Sequence, residues 1–195
     1  MKKIIITGVL AVLTMCASNG FGQDSTQDST KPNGKTQMSN SKNADGKFMS
    51  MAATSGMNEI TLSNQALSKS SNEDVKKFAQ MMIDDHTKAG DELKSLAMTK
   101  NIMLPTDADA KHKAALTKMS SLTGDSFDMA YVKMMVKDHE KAVALFQKES
   151  TGGKDEDAKA FAAKTLPTLQ GHLEMARSMM SKMMGGKTAD KMKGM

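Results

Sequence analysis

The chain has 195 residues, a formal net charge of +5, 4% aromatic residues, no tryptophan and a single tyrosine. Its basic residues alternate with acids and form no clustered basic face with stacking aromatics, which excludes a nucleic-acid partner. Cys16 is the only cysteine, so no disulfide can form within the chain. The length fits one domain of ordinary size with disordered ends.

Lys2 and Lys3 precede an apolar run over 4–13 that is too short to span a bilayer as a permanent helix. It reads as a secretory signal. Small residues at Gly20 and Gly22 predict cleavage after Gly22, so residues 1–22 are a signal peptide and the product is exported, to the periplasm or to the outer membrane. Lipidation at Cys16 is disfavoured because Met15 is too large for a good lipobox. Residues 23–46 are polar, and Gln23-Asp-Ser-Thr26 repeats as Gln27-Asp-Ser-Thr30. Such a segment buries too little apolar surface to offset its ordering entropy, and it is expected to be a disordered tether.

Beyond the tether the chain turns rich in Met, Ala, Leu and Lys, and no stretch alternates apolar and polar as a strand does. The folded part, residues 47–184, is therefore expected to be all-α. A first helix is predicted from about Asp45 to Lys69, with Phe48, Ala52, Gly56, Ile60, Ser63 and Leu67 on one side. A second starts near Ser71-Asn-Glu-Asp74, where acids favour an N-terminus. It carries Val75, Phe78, Met82, His86, Ala89, Leu93 and Leu96 at steps of three and four, and ends before Leu104-Pro105. A short helix over 108–122 occupies the next connection. The third long helix carries Tyr131, Met135, His139, Ala142 and Phe146 and stops at Gly152-Gly153. The fourth starts at Asp155-Glu-Asp157 and carries Phe161, Leu169, His172, Met175, Met179 and Met183. Pro167 is a predicted kink or break, and residues 185–195 are expected to form a disordered tail.

Four long amphipathic helices pack best as a bundle, here of the ferritin-like type with one extra short helix in the second connection. Within it one phrase recurs: Phe78-Ala-Gln-Met-Met-Ile-Asp-Asp-His86-Thr-Lys-Ala89 returns as Tyr131-Val-Lys-Met-Met-Val-Lys-Asp-His139-Glu-Lys-Ala142. Both copies put a histidine mid-helix on the apolar side, and His172 sits likewise in the fourth helix. With helices about 37 Å long, these three and Glu59, mid-way along the first helix, fall in one layer.

Imidazole suits zinc, copper and iron, and bundle cores build metal sites from side chains projecting inward on separate helices. His86, His139, His172 and Glu59 are thus candidate ligands for a transition metal, zinc, copper, iron or manganese. Paired-iron chemistry would need a Glu three residues before a His on two helices, and Ile83 and Val136 stand there instead. The competing reading is that the histidines are neutral core residues hydrogen-bonded to Tyr131, Asp128 or a nearby carboxylate. Asp85 and Asp138 point about 100 degrees away from the histidines that follow them and are expected to face solvent or a neighbouring helix. The helical rise puts Asp128 about 16 Å from His139. His112, between Lys111 and Lys113, is expected to be exposed.

The chain has 21 methionines. Thioethers favour Cu(I), and His172, Met175, Met179 and Met183 share a helix face, as in a copper-binding helix. A Met stripe is equally a flexible core filler, whereas Met180, Met184, Met192 and Met195 fall off the stripe or in the tail. No nucleophile motif and no phosphate-binding loop is present, so a hydrolase or kinase is unsupported.

Ser55-Gly-Met-Asn-Glu59-Ile-Thr-Leu62, Val75-Lys-Lys-Phe-Ala79, Met82-Ile-Asp-Asp-His86, Leu104-Pro105, Gly124-Asp-Ser-Phe-Asp-Met-Ala-Tyr131, Val136-Lys-Asp-His139 and Leu166-Pro-Thr-Leu-Gln-Gly-His172-Leu resemble, in order and spacing, the family called domain of unknown function 4142, over about 47–180. The resemblance implies a ferritin-like bundle, exported, with no established activity and often labelled a predicted outer membrane protein. Glu59, His86, Asp128, Tyr131, His139 and His172 match polar positions of its pattern, Asp128 and Tyr131 as supporting groups. A helical chain without transmembrane segments cannot cross the outer membrane as barrels do, so envelope association would come from lipidation, a partner or homo-oligomerisation. The methionine content is similar to that of the Met- and His-rich copper proteins of the family called domain of unknown function 305, without its motifs. The sequence thus predicts a non-enzymatic exported bundle. It is a metal binder in the core, a structural or stress-adaptation module of the envelope, or a Met- and His-rich copper protein.

Overall fold

The computed structural model describes residues 44–193, with side chains through Gly185. The predicted signal peptide and nearly all of the predicted tether lie outside the described residues. Five helices follow in order: α1 Ala44–Lys69, α2 Glu73–Thr99, α3 Ala110–Ser120, α4 Gly124–Gly152 and α5 Glu156–Lys193. No strand occurs among the described residues, so the chain is all-α, and none of its helices is long and apolar enough to cross a membrane.

Local sequence accounts for the helix ends. Asn72 caps α2, its side chain accepting from the amides of Asp74 and Val75. Asp109 caps α3 through the amide of His112, and Asp155 caps α5 through those of Asp157 and Ala158. Each satisfies amide donors that a helix start leaves unpaired. At the far end of α2, Asn101 takes a left-handed φ of 53°. The Asn101 amide donates to the Met98 carbonyl and the Ile102 amide to the Ala97 carbonyl, a Schellman stop. Gly153 ends α4 where a Cβ would come within 2.8 Å of the Glu149 carbonyl, so only glycine fits.

Two apolar clusters record the topology. Leu62, Val75, Phe78, Met82, Phe127, Tyr131, Met135 and Ala176 belong to one. Phe48, Met49, Leu93, Ala142, Phe146, Phe161 and Leu169 belong to the other. Following each helix from cluster to cluster, α1 and α5 run one way and α2 and α4 the other. The α2–α4 connection must therefore travel the length of the bundle, and it does so with α3: Ile102 packs in the second cluster and Met119 in the first. This is the long-crossover form of the four-helix bundle. Glu59, His86, His139 and His172 all fall between the two clusters along their helices.

Ala44–Lys69 agrees with the first helix expected from about Asp45, so its first turn overlaps the end of the 23–46 tether. The buried Asp45 carboxylate accepts the Lys154 amide at 2.8 Å and ties that turn to the α4–α5 loop. The buried face of α1 is centred on Met49, Ala52, Glu59, Leu62 and Ala66, with Gly56, Ile60 and Leu67 at its edge. Pro167 does not break α5. Its ring lies on the exposed side while Phe161, Ala162 and Leu169 anchor the helix on both sides, and that packing outweighs the cost of about 3 kcal/mol for an interior proline. The backbone of α5 is helical past Gly185 to Lys193, where the residues beyond the two glycines are mostly good helix formers.

Candidate metal centre

His86 on α2, His139 on α4 and His172 on α5 meet in the layer between the two apolar clusters. Their ring centroids stand 5.5, 5.4 and 5.3 Å apart, nearly an equilateral triangle, and one ligating atom from each lies within 4.8 Å of the others. Glu59 of α1, 0% exposed, closes the layer. Its Oε2 lies 3.2 Å from His86 Nε2 and its Oε1 3.4 Å from His139 Nδ1. Neither contact is aligned as a hydrogen bond, so both Glu59 oxygens and His86 Nε2 have no hydrogen-bond partner among the described residues.

The outer bonds fix the tautomers. His139 Nδ1 lies 3.0 Å from the Met135 carbonyl, which can only accept, so Nδ1 carries the proton. His172 Nε2 lies 2.9 Å from the Asp85 carboxylate and likewise donates. In the neutral rings the remaining nitrogens, His139 Nε2 and His172 Nδ1, bear lone pairs, and these two face each other at 3.3 Å. Two acceptors so placed repel unless a cation or a proton lies between them.

Burial works against charge on each of these groups. Burial, with repulsion from His139 and His172, holds His86 down to about 3. Burial, with repulsion from His172, lowers His139 to about 4 despite its bond to Met135. His172 is lowered by burial, against which Asp85 works. Burial, then the nearby Asp138 charge, raises Glu59 well above the ordinary carboxylate range. A buried layer whose imidazoles resist protonation offers lone pairs to a metal cation, and a carboxyl there can release its proton as the cation supplies the charge that desolvation disfavours.

Asp128 and Tyr131 make no hydrogen bond to the three histidines, and Tyr131 lies close enough to Glu59 to feel its charge. The Tyr131 hydroxyl shares a 2.8 Å bond with Ser63 Oγ, and its ring meets Phe78 edge-on. Asp128 is buried nearer the start of α4, with Oδ1 unpartnered among the described residues. The partners of the histidines are Met135, Asp85 and Glu59. Asp85 does face a neighbouring helix, as one of its two expected placements had it. Asp138 is buried, bonded to Lys141 and, across to α3, to His112. His112 is therefore not the exposed residue expected: its Nδ1 lies 2.7 Å from Asp109 and its Nε2 3.2 Å from Asp138, and Asp109 also accepts from Asn58 at 3.0 Å. The Asp109–His112 spacing at a helix start is the signal that could have exposed this cluster. Along α5, Met175 is 39% exposed, so the expected face running from His172 through Met175 is interrupted, whereas Met179, Met180 and Met183 pack on the core.

Solved structures of similar shape are helical proteins of low sequence identity. A fragment of the family called DUF305 from Deinococcus radiodurans aligns with a TM-score of 0.64 and 12% identity, covering 71% of this chain and 95% of its own. CopM in a Cu(I)-bound form aligns at 0.61 and 17% identity, covering 71% and 96%. CopM with silver soaked in aligns at 0.60 and 18%, covering 71% and 95%. No curated protein matches. Residues 27–179, which include all three layer histidines and Glu59, match one sequence family, and the chain belongs to that family, described as Domain of unknown function (DUF4142).

Proposed function

We propose that the protein is an exported, non-enzymatic metal-binding bundle that holds one transition-metal ion among His86, His139, His172 and Glu59. The observation that carries this reading is the pair of lone pairs on His139 Nε2 and His172 Nδ1 facing each other at 3.3 Å. Two imidazole nitrogens bound tetrahedrally at the usual zinc–nitrogen length stand about 3.3 Å apart, so the spacing suits a shared ion. Met135 and Asp85, which orient the two rings through their other nitrogens, supply the outer support typical of metal-bound histidines. Imidazole-rich donors favour copper and zinc over manganese. CopM, similar in shape, is described in Cu(I)- and silver-bound forms, which puts copper first. The outward turn of Met175 leaves the methionine-based copper helix without a continuous ligand face.

A second reading, an envelope module whose histidines only pack, draws on the same Met135 and Asp85 bonds, which already satisfy one nitrogen on each of two rings. Thermal melts of metal-free protein with added zinc, copper, iron or manganese separate the two. A ligand bound only by the native state, present at a hundredfold its Kd, adds about 2.7 kcal/mol, or a Tm rise of roughly 5–10 °C for a domain of this size. An unchanged melt with all four ions would select the second reading.

A further inference from the structure

A cavity of about 650 Å³ opens beside the histidine layer, and nothing in the family description accounts for it. Its walls are apolar: Ala53, Leu93, Phe146, Phe161 and Leu169 contribute from four helices. At its buried end stand Glu59 and His86, whose oxygens and Nε2 have no hydrogen-bond partner among the described residues. At its mouth stand Met98 and Met103, 70% and 75% exposed, two of the most exposed large apolar side chains described.

We propose that this cavity binds a small, neutral, predominantly apolar molecule carrying one N–H or O–H donor, the donor directed at Glu59 and His86. Volume, apolar walls and a few convergent polar groups are the general marks of a small-molecule site. The unpaired oxygens of Glu59 and Nε2 of His86 offer an acceptor for such a molecule's single donor, and an unmade bond to a buried polar atom is costly. Thioether side chains at the mouth adapt to varied apolar shapes. The cavity shares Glu59 and His86 with the ion site but not His139 or His172, so an ion and the molecule would compete for those two groups and the test is made without metal.

The test is fluorescence titration of metal-free protein with N-phenyl-1-naphthylamine, a neutral apolar probe with one N–H, in the presence of chelator, so that the result stands apart from the metal reading. Two glycines give a matched pair of variants. Gly90 lines the cavity and Gly152 does not, and at both positions a Cβ meets nothing within 4 Å. Saturable binding at one probe per chain, weakened at least tenfold in Gly90→Phe and unchanged in Gly152→Phe, is expected. The same titration followed by NMR should shift the methyl signals of Met98 and Met103 in the unmodified protein. Absence of saturable binding, equal affinity in Gly90→Phe, or unmoved methionine signals would overturn the proposal.

Discussion

Glu59 is the residue at which stability and function pull apart. Its carboxyl is fully buried, without an aligned hydrogen bond, and burial with the nearby Asp138 charge raises its pKa well above the ordinary carboxylate range. A carboxyl whose folded pKa is raised stabilises the fold below its unfolded value and loses that contribution as pH rises. Metal-free Glu59→Gln should therefore be more stable than the parent at pH 7 to 8, by about 1 kcal/mol, while its metal affinity falls. Urea unfolding and metal titration of the same variant check both halves, and a destabilised variant with unchanged affinity would deny Glu59 a place at the ion. The histidines carry the opposite sign. His86 and His139 fall from 6.5 to about 3 and about 4 on folding, so below about pH 6.5 the unfolded chain takes up protons that the fold refuses. Stability is present above 6.5 and is lost as pH drops through 6 and 5, by up to about 1.4 kcal/mol per pH unit for each ring. Glu149, raised to about 7 by burial and by Asp45, acts the other way, so the term must be isolated by substitution. Metal-free His86→Gln should flatten the slope of unfolding free energy between pH 5 and 6.5 by about 1 kcal/mol per unit, and an unaltered slope would mean that His86 titrates freely.

Among the elements, α3 is the least secured. Of its residues only Met119 is fully buried. Its other ties are polar: Asp109 to Asn58, His112 to Asp138 and the Lys69 ammonium to the Ser120 carbonyl. Elements with few buried apolar contacts open first. Amide exchange should therefore be fastest in 110–120 among the five helices, and His112→Ala should accelerate it there while leaving α4 unchanged. Uniform protection across all helices would contradict this account. The long helices were legible because their apolar residues repeat at three and four, and their ends because Asn72, Asp155 and Gly153 announce caps and stops. What was illegible is what distant packing decides. The start of α1 near Asp45 was legible, but the tie of its first turn to the α4–α5 loop was not, because the Lys154 amide that Asp45 accepts from lies far along the chain. Pro167 read as a kink or break, and that the helix continues through it was not legible because its exposure on an otherwise anchored helix is invisible in one dimension. His112 read as exposed because its second carboxylate, Asp138, arrives from another helix.

For the whole molecule, the crossover topology gives the site its form. With α1 and α5 running against α2 and α4, residues mid-way along each helix meet in one plane, so Glu59, His86, His139 and His172 converge although they are far apart in the chain. The mid-helix argument from sequence reached that convergence. It did not reach the division of labour within it, because Asp85 and Met135 fix two tautomers through bonds that no spacing reveals. A polar layer between two apolar clusters is costly unless its groups are satisfied, and the bound ion proposed here would satisfy them together. Elemental mass spectrometry of protein purified without chelator, beside a His86→Ala/His139→Ala variant, tests this directly. The account predicts about one transition-metal ion per chain, copper foremost, absent from the variant. Protein that emerges metal-free and refuses reloading, or a variant that keeps its metal, would contradict it.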